Sequence, residues 1–255
     1  MNRFALKIGA SLAAAAIALS LTACGATVAQ NASTTSSTTT TTTVATANAA
    51  TATTSVDTHF DDDDLTWDAS DEVKVTLADG ASTGGTGVTV QGNTVTITTG
   101  GVYRISGTLT NGQLVVAAED DKTVTLILDS ASITNSSGPA IAVTSADEVT
   151  VYLADGTTNT IADGSGYTVA DDATPVAAIA SASDLTIAGG GTLNVTGKTN
   201  DGISSSDGLV IVSGTINVTA ADDGIRGKDY VYVLDGTIKV EASGDALKSD
   251  NETDE

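Results

Sequence analysis

Apolar and polar residues alternate in short runs along most of the chain after about Leu65. Representative runs are Val73-Lys74-Val75, Val88-Thr89-Val90 and Val95-Thr96-Ile97, each of which places its apolar residues on one face. Such alternation over a few residues, bounded by Gly, Asp or Asn, is typical of β-strands. No segment shows a convincing helical period. The pattern therefore predicts an all-β domain.

The C-terminal third of the chain repeats with a period of about 22 residues. Asp201-Gly202-Ile203 recurs as Asp223-Gly224-Ile225 and as Asp245-Ala246-Leu247, at intervals of 22 and 22 residues. A second motif recurs at intervals of 23 and 22 residues: Gly191-Thr192-Leu193, Gly214-Thr215-Ile216 and Gly236-Thr237-Ile238. A unit this short has room for three strands and three turns, and it must bury its apolar residues against its neighbours.

This period predicts a parallel β-helix with three-strand coils of about 22 residues. In the unit that begins at Leu209, we expect Leu209 and Ile211 to face inward on the first strand. Ile216 and Val218 should do so on the second strand, and Ile225 on the third. The usual chirality of crossover connections between parallel strands favours a right-handed helix.

One repeat is longer than the others. The inward position of the third strand can be traced back through Ile179 to Ile141, an interval of 38 residues. The surplus predicts a loop at about residues 164–177, which contains Tyr167, Asp171 and Asp172. This loop should enter at the same turn that holds Asp201 in the next repeat.

The N-terminus has the features of a lipoprotein signal peptide. Arg3 and Lys7 supply positive charge, and an apolar stretch of 14 residues follows, from Ile8 to Leu21. A membrane-spanning helix needs about 20 apolar residues. Leu21-Thr22-Ala23-Cys24 matches a lipobox, in which a cysteine after small residues carries the lipid. We expect residues 1–23 to be removed and Cys24 to anchor the mature protein at the extracellular face of the cell membrane.

Residues 24–60 differ in composition from the rest. Thr, Ser and Ala dominate, including the run Thr38 to Thr43, and no apolar period is present. A segment of this kind cannot bury a core and is typical of a disordered tether. His59, the only histidine, lies near its end, and we expect it to be solvated rather than to bind metal or take part in catalysis. The folded domain should occupy residues 61–255.

The charge balance restricts the possible partners. The chain has 10 basic and 32 acidic side chains, a formal charge of −22. Loss of the signal peptide makes this charge more negative by two units. Such a surface repels nucleic acid and anionic lipid headgroups. It also repels an anionic polysaccharide unless a divalent cation lies between the two.

The repeat also stacks acidic residues. Neighbouring strands lie about 4.8 Å apart, and two carboxylates at that distance repel by roughly 1–3 kcal/mol. Two columns are predicted: Asp201, Asp223 and Asp245 with Asp222 beside them, and Asp207 and Asp229 near Asp250. Calcium, which takes six to eight oxygen ligands, would relieve the repulsion. Alternatively, these carboxylates accept backbone N–H groups in turns, while Arg226, Lys228 and Lys248 balance the charge.

Aromatic side chains are candidates for stacking on sugar rings. Tyr230 and Tyr232 alternate with inward Val231 and Val233, so both tyrosines should point outward from one strand. Tyr167, on the predicted loop, is a third candidate. An outward tyrosine pair could equally serve to protect the edge of a sheet.

Three strings of this sequence resemble a family of secreted bacterial carbohydrate-binding domain-containing proteins: ADGTTNTI, NDGISSSDGLVIVSGTINVTAADDGIRGKD and GDALKSDNETD. The resemblance covers about residues 65–255, and the run from Asp222 to Asp229 is its most specific part. It implies a right-handed parallel β-helix of the polysaccharide-lyase type that binds polysaccharide, with calcium in its turns. Family members usually continue with further coils. We therefore expect the chain to be truncated after Glu255, or its end to be covered by another molecule.

Together these features favour a cell-surface lipoprotein that binds polysaccharide, with Arg226 and Lys228 as further sugar contacts. An acidic, pectin-like polymer would bind through bridging calcium near Tyr167, whereas a neutral, cellulosic glycan would rely on Tyr230 and Tyr232.

Two other functional classes stay open. A calcium-dependent polysaccharide lyase needs an Arg or Lys base, which Arg226 or Lys228 could supply. Ion pairing with the acidic column explains Arg226 without catalysis, so we favour a non-catalytic protein. A structural spacer or adhesin is the third class.

Overall fold

A computed structural model describes residues 43–45, 58–168 and 174–251 of the chain, all within one compact unit, Thr41–Glu255. Cys24, the predicted signal peptide, most of the predicted tether, and Asp171 and Asp172 lie outside the described residues. The described part contains two short 3₁₀ helices, Asp62–Leu65 and Ala69–Asp71. It includes no helix with the length and hydropathy needed to cross a membrane.

The described strands, in chain order, are β1 Thr43–Ala45, β2 Val73–Ala78, β3 Val88–Gln91, β4 Thr94–Ile97, β5 Gly101–Leu109, β6 Gln113–Ala117, β7 Val124–Thr134, β8 Ile141–Ser145, β9 Glu148–Leu153, β10 Thr158–Ala162, β11 Ala177–Ser181, β12 Asp184–Gly189, β13 Thr192–Gly197, β14 Asp201–Ser205, β15 Leu209–Ile211, β16 Thr215–Ala220, β17 Ile225–Gly227, β18 Val231–Val233, β19 Thr237–Ala242 and β20 Leu247–Ser249.

These strands form two sheets. The larger sheet has 12 strands in the order β1-β19-β16-β13-β10-β7-β9-β12-β15-β18, and β2 joins it through β5, which pairs with β7. The smaller sheet has 8 strands in the order β20-β17-β14-β11-β8-β6-β4-β3. Most pairs are parallel, while β1 with β19 and β3 with β4 are antiparallel. The prediction of an all-β domain is confirmed.

The predicted right-handed parallel β-helix with three-strand coils is wrong. Instead of three strand stacks, the chain has a mostly parallel sheet curled as a half-barrel and a second sheet. The physical reason is the 11-residue strand β7, whose first half pairs with β9 and whose second half pairs with β10. Ser130, with a φ of 60°, lies between these halves and turns the strand without ending it. The repeat predicts that the strands stacked on β9 and those stacked on β10 belong to separate sheets, but β7 joins them in one sheet.

The strand register predicted within the repeats is confirmed. One row crosses the smaller sheet: Ile141, Ile179, Ile203, Ile225 and Leu247. Its members are fully buried except Leu247, which is 39% exposed. Equivalent apolar residues therefore stack on one another from repeat to repeat and fill the core.

Close packing explains the glycine in the Asp-Gly-Ile motif. A Cβ atom at Gly202 would lie 2.2 Å from Val218 Cγ1, and one at Gly224 would lie 2.2 Å from Val240 Cγ1. Any side chain at this position would collide with a valine of the larger sheet. The motif thus combines a turn aspartate, a glycine that permits close approach and a buried isoleucine.

Residues 58–72, which we call the N-terminal strap, cross the outer surface of the larger sheet. The Trp67 ring meets the Tyr152 ring of β9 edge to face, with centroids 4.9 Å apart, and His59 contacts Thr186 of β12. Residues that would otherwise face solvent on β12 and β15, Thr186 and Val210, are fully buried. The strap therefore gives this part of the larger sheet a second buried face.

The buried row yields a stability prediction. Ile203→Ala should lower the free energy of unfolding by about 2–5 kcal/mol, because it leaves a cavity in the core. Leu247→Ala, in the same row but 39% exposed, is the matched control and should cost much less. Ile225→Asp should cost more than either, because it buries an unpaired charge. Denaturant unfolding measures all three, and equal losses at Ile203 and Leu247 would contradict the row.

Candidate functional site

Three carboxylates meet where two stacked turns lead into β14 and β17 of the smaller sheet, and we call this place the acidic turn. Asp201, Asp222 and Asp223 each offer an oxygen that lies within 4.8 Å of the other two. Asp201 opens β14 and Asp223 precedes β17, and the parallel pairing of these strands places the two residues one strand apart. Asp201 and Asp223 are buried, and Asp222 is exposed. Half of the predicted metal ligands are thus brought together.

The stacked carboxylates also accept backbone N–H groups. The Asp223 N–H donates to Asp201 Oδ1 at 3.3 Å, and the Asp245 N–H donates to Asp223 Oδ1 at 2.8 Å. Each carboxylate therefore fixes the turn of the next repeat, as the alternative interpretation of the column predicts. Asp245 joins the column through its backbone, and its side chain is exposed.

Two basic residues pair with acids beside this turn. Lys248 Nζ donates to Asp223 Oδ2 at 2.8 Å, and Arg226 Nη2 donates to Asp250 Oδ2 at 2.7 Å. Burial opposes ionisation of Asp223, but the bonds from Lys248 and from the Asp245 N–H outweigh it and lower its pKa. Burial raises the pKa of Asp201 to about 6. Ion pairing thus accounts for Arg226, while Lys228 is exposed.

A buried hydroxyl lies beside the acidic turn. Ser204 is fully buried. Burial raises the pKa of Asp201, and the nearby Ser204 hydroxyl lowers it by a smaller amount. The Ser204 Oγ makes no hydrogen bond of normal geometry with any described residue. Three carboxylates that lie this close together, with a hydroxyl beside one of them, form a donor set that fits a hard divalent cation.

The second predicted column lies elsewhere. Asp207 and Asp229 are half-buried neighbours, and the Asp229 N–H donates to the Asp207 carbonyl at 3.3 Å. Burial raises the pKa of Asp207, and the charges of Asp184 and Asp229 add to this effect. Asp184 accepts the Gly208 N–H at 2.9 Å. This column borders the strap rather than the acidic turn.

His59 is not solvated, so that expectation is wrong. Its Nδ1 lies 2.6 Å from Tyr230 Oη and 3.0 Å from Asp184 Oδ1. Its Nε2 lies 2.9 Å from Thr186 Oγ1 and 3.6 Å from Glu148 Oε1. The imidazole also stacks on the Tyr230 ring, with centroids 5.8 Å apart. His59 therefore fastens the start of the strap to the larger sheet.

The surrounding acids favour the charged imidazole. Burial alone would lower the pKa of His59, but the hydrogen bond and charge of Asp184, with Glu148 and Asp207, raise it overall. Burial raises the pKa of Glu148 to about 6. No local sequence pattern links His59 to Tyr230, 171 residues away, so sequence reasoning had no signal for this cluster.

The three predicted sugar-stacking tyrosines have different environments. Tyr230 lies against Gly208, where a Cβ atom would stand 2.3 Å from the Tyr230 Cζ, and its ring and hydroxyl also contact His59. Tyr232 pairs with Val210 across β15 and β18 and is half-buried. Tyr167 Oη lies 3.0 Å from both Asp163 Oδ2 and the Ala177 carbonyl. Tyr230 is thus tied to the strap, and Tyr167 to the smaller sheet.

A cleft of about 450 Å³ lies on the outer side of the smaller sheet, and we call it the polar cleft. Leu114 and Val116 of β6 point into the core, so Val115 between them faces outward. Val115, Pro139 and Ala142 supply apolar surface. Amide and hydroxyl groups line most of the remainder: Asn93, Thr94, Asn111, Gln113, Asn135, Ser137, Thr144, Tyr167, Thr168 and Thr174. No charged residue occurs among the described residues that line it.

The amides of the polar cleft are held in place. Gln113 Nε2 and Asn135 Nδ2 donate to the Pro139 carbonyl at 2.9 and 2.8 Å. Asn93 Nδ2 donates to the Asn111 carbonyl at 2.8 Å. A glutamine side chain has two N–H donors and an acceptor oxygen, so Gln113 retains capacity for a ligand. Of the residues that line this cleft, only Tyr167 was predicted from the sequence to be a site residue. Asparagines between strands are typical of turns, so they did not indicate a binding site.

The His59 cluster predicts a pH-dependent strap contact. A raised His pKa contributes stability that is present below the unfolded pKa of about 6.5 and is lost as pH rises through the folded value. The melting temperature of the wild type should therefore exceed that of His59→Gln most near pH 6, and this difference should shrink toward pH 8. Asp62→Asn, an exposed change in the same strap, should leave the pH profile unaltered. A difference independent of pH would contradict the charged pairing.

Comparisons with known proteins agree on a family. The model of a family described as carbohydrate-binding domain-containing protein matches residues 91–255. A carbohydrate-binding domain-containing protein of Acetivibrio thermocellus is 32% identical over 136 residues, which is 52% of this chain and 48% of that protein. This chain thus spans about half the length of that curated relative.

A solved structure is also similar. The polysaccharide lyase-like protein from C. thermocellum, determined as a gadolinium derivative, is 34% identical, with a TM-score of 0.69. The similarity covers 72% of this chain and 76% of that chain. The polar cleft and the acidic turn both fall within residues 91–255, whereas the strap precedes them. The chain belongs to the family of carbohydrate-binding domain-containing proteins.

Proposed function

We propose that this chain is a non-catalytic, lipid-anchored surface protein that binds polysaccharide in the polar cleft. The observation that carries the proposal is the lining of that cleft, in which fixed amides and hydroxyls surround the apolar surface of Val115, Pro139 and Ala142. Sugars need both kinds of surface, because their hydroxyls need donors and acceptors while their C–H faces pack on apolar groups. Sites of this kind combine a preformed concavity with a few placed polar groups.

The strap supports this arrangement. In the proposal, Cys24 carries the lipid at the extracellular face of the membrane, and the segment that follows leads to the strap. His59 and Trp67 attach the strap to the larger sheet. The polar cleft lies on the outer side of the smaller sheet, so the attachment of the strap leaves the cleft open.

Calcium at the acidic turn is a second part of the proposal. Asp201, Asp222 and Asp223 would hold it, with the Ser204 hydroxyl as a neighbouring oxygen. The similar C. thermocellum structure is a gadolinium derivative, and gadolinium, like calcium, is a hard cation that prefers oxygen ligands. The ion would stabilise the stacked turns that lead into β14 and β17. Asp207, Asp229 and Asp245 would remain outside this group.

The environment of Arg226 favours binding over cleavage. A lyase would need a basic side chain free to reach a substrate proton. Arg226 donates to Asp250 at 2.7 Å, and Lys248 donates to Asp223 at 2.8 Å. Arg226 and Lys248 are thus engaged by carboxylates, whereas Lys228, the other candidate base, is exposed and does not line the polar cleft.

Replacement of a cleft amide tests the proposed site. Gln113→Ala should weaken polysaccharide binding roughly two- to twelvefold, since a hydrogen bond contributes about 0.5–1.5 kcal/mol. Asn194→Ala removes an amide of the larger sheet, outside the cleft, and is the matched control. Affinity electrophoresis in gels that contain the polysaccharide compares the two variants. Equal retardation of wild type and Gln113→Ala would argue against the cleft, and release of unsaturated uronides would support a lyase instead.

Chelation tests the calcium site. A ligand bound only by the folded state stabilises it by about 2.7 kcal/mol at 100 times its dissociation constant. Added calcium should therefore raise the melting temperature of the chelator-treated protein. Asp222→Asn should largely remove this rise, because it takes away one of the three carboxylate ligands. Since Asp222 is exposed, the substitution leaves the buried hydrogen bonds intact. Asp62→Asn is the control, and identical melting with and without chelator would refute the site.

A further inference from the structure

The described lining of the polar cleft contains no cationic side chain that would pair with a carboxylate. Proteins bind carboxylates mainly through Arg forks or Lys ammonium groups, and neither occurs among the described residues of the cleft. The basic side chains at the acidic turn, Arg226 and Lys248, are paired with Asp250 and Asp223. A uronate that entered the cleft would lose water without gaining a cationic partner.

A buried acid, Asp163, lies next to the cleft. Tyr167, at its rim, lies 3.0 Å from Asp163 Oδ2. Ala142 of the cleft is on β8, and Asp201 is on β14, two strands away in the smaller sheet. Two strand spacings amount to about 10 Å, close to the screening length of about 8 Å at physiological salt. At this distance the acidic turn repels an anionic glycan mainly at low ionic strength, because physiological salt screens most of the interaction.

The surface of the cleft repeats from strand to strand. Thr94 of β4 pairs with Gln113 of β6, and Val115 of β6 pairs with Ala142 of β8. The spacing of these strands, about 4.8 Å, is close to the length of one sugar unit in an extended glycan. A glycan that crosses the strands would meet Thr94 on β4, and then a polar and an apolar side chain on each of β6 and β8.

From this chemistry we infer that the polar cleft binds a neutral glycan, laid across β4, β6 and β8 with about one sugar unit per strand, and discriminates against polyuronates. The inference deepens the proposed function and depends on it. It departs from the two expectations based on sequence. Calcium does not bridge the ligand to the protein, and the neutral glycan binds beside Tyr167 rather than on Tyr230 and Tyr232.

Titration calorimetry of the mature chain with oligosaccharides of two to six units tests the inference. The probes are cello-, xylo- and manno-oligosaccharides on one side and oligogalacturonides on the other, each in calcium and in chelator. At least one neutral series should bind, with affinity rising up to about three units and changing less than twofold with chelator or salt. Oligogalacturonides of equal length should bind at least tenfold more weakly.

A charge variant sharpens the test. Gln113→Lys places a cation in the cleft and should improve oligogalacturonide binding while it weakens neutral binding. Asn194→Lys makes the same change in net charge on the larger sheet and should alter neither. Thr94→Lys is a second cleft variant, to be used if the first lowers the melting temperature.

The outcomes separate the two proposals. If no glycan binds under any condition, the proposed function itself fails. If only oligogalacturonides bind, or if neutral binding requires calcium, the inference is overturned while polysaccharide binding stands. Loss of neutral binding in Tyr232→Ala but not in Gln113→Ala would place the site on the larger sheet and would also overturn it.

Discussion

The parallel register between successive repeats is the constraint on which the rest of this structure depends. Because each strand of the C-terminal repeats pairs in step with its equivalent about 22 residues later, like residues stack on like. The register stacks Ile203 on Ile225 in the core, and it equally forces Asp201 and Asp223 together at the turn. The first stack is stabilising and the second is repulsive. Backbone N–H donors and Lys248 offset the repulsion between the stacked carboxylates. One repeat can therefore contain both the apolar stack and the acidic stack.

The repeated part of the chain was predictable and the irregular part was not. The Asp-Gly-Ile motif gave the buried row and the carboxylate column, because a fixed period translates directly into strand register. The prediction of the fold class is wrong at β7. The repeat period predicts that the strand ends there, whereas Ser130 turns the strand without ending it. The His59–Tyr230 contact joins residues 171 positions apart, and the polar cleft gathers side chains from several different turns. Neither arrangement leaves a local pattern in the sequence.

The two sheets divide the tasks of the molecule. The larger sheet receives the strap through His59 and Trp67, where acids and aromatic rings hold it. The smaller sheet carries the polar cleft, which no charged side chain lines among the described residues. This separation places charge where it fastens the chain to itself and keeps it away from the surface proposed for sugar. A strongly acidic protein can in this way present a binding surface whose described lining is uncharged.

The hydrogen bonds of the acidic column have a consequence for how such proteins change in evolution. The Asp201 carboxylate accepts the N–H of Asp223, whose own carboxylate accepts the N–H of Asp245. The aspartate carboxylate of each unit therefore accepts a backbone N–H of the following unit. Its own backbone N–H donates to the aspartate carboxylate of the preceding unit. A duplicated unit inserted into this array would find both partners already in place. Tandem duplication of a single repeat could therefore lengthen the domain without the invention of a new interface.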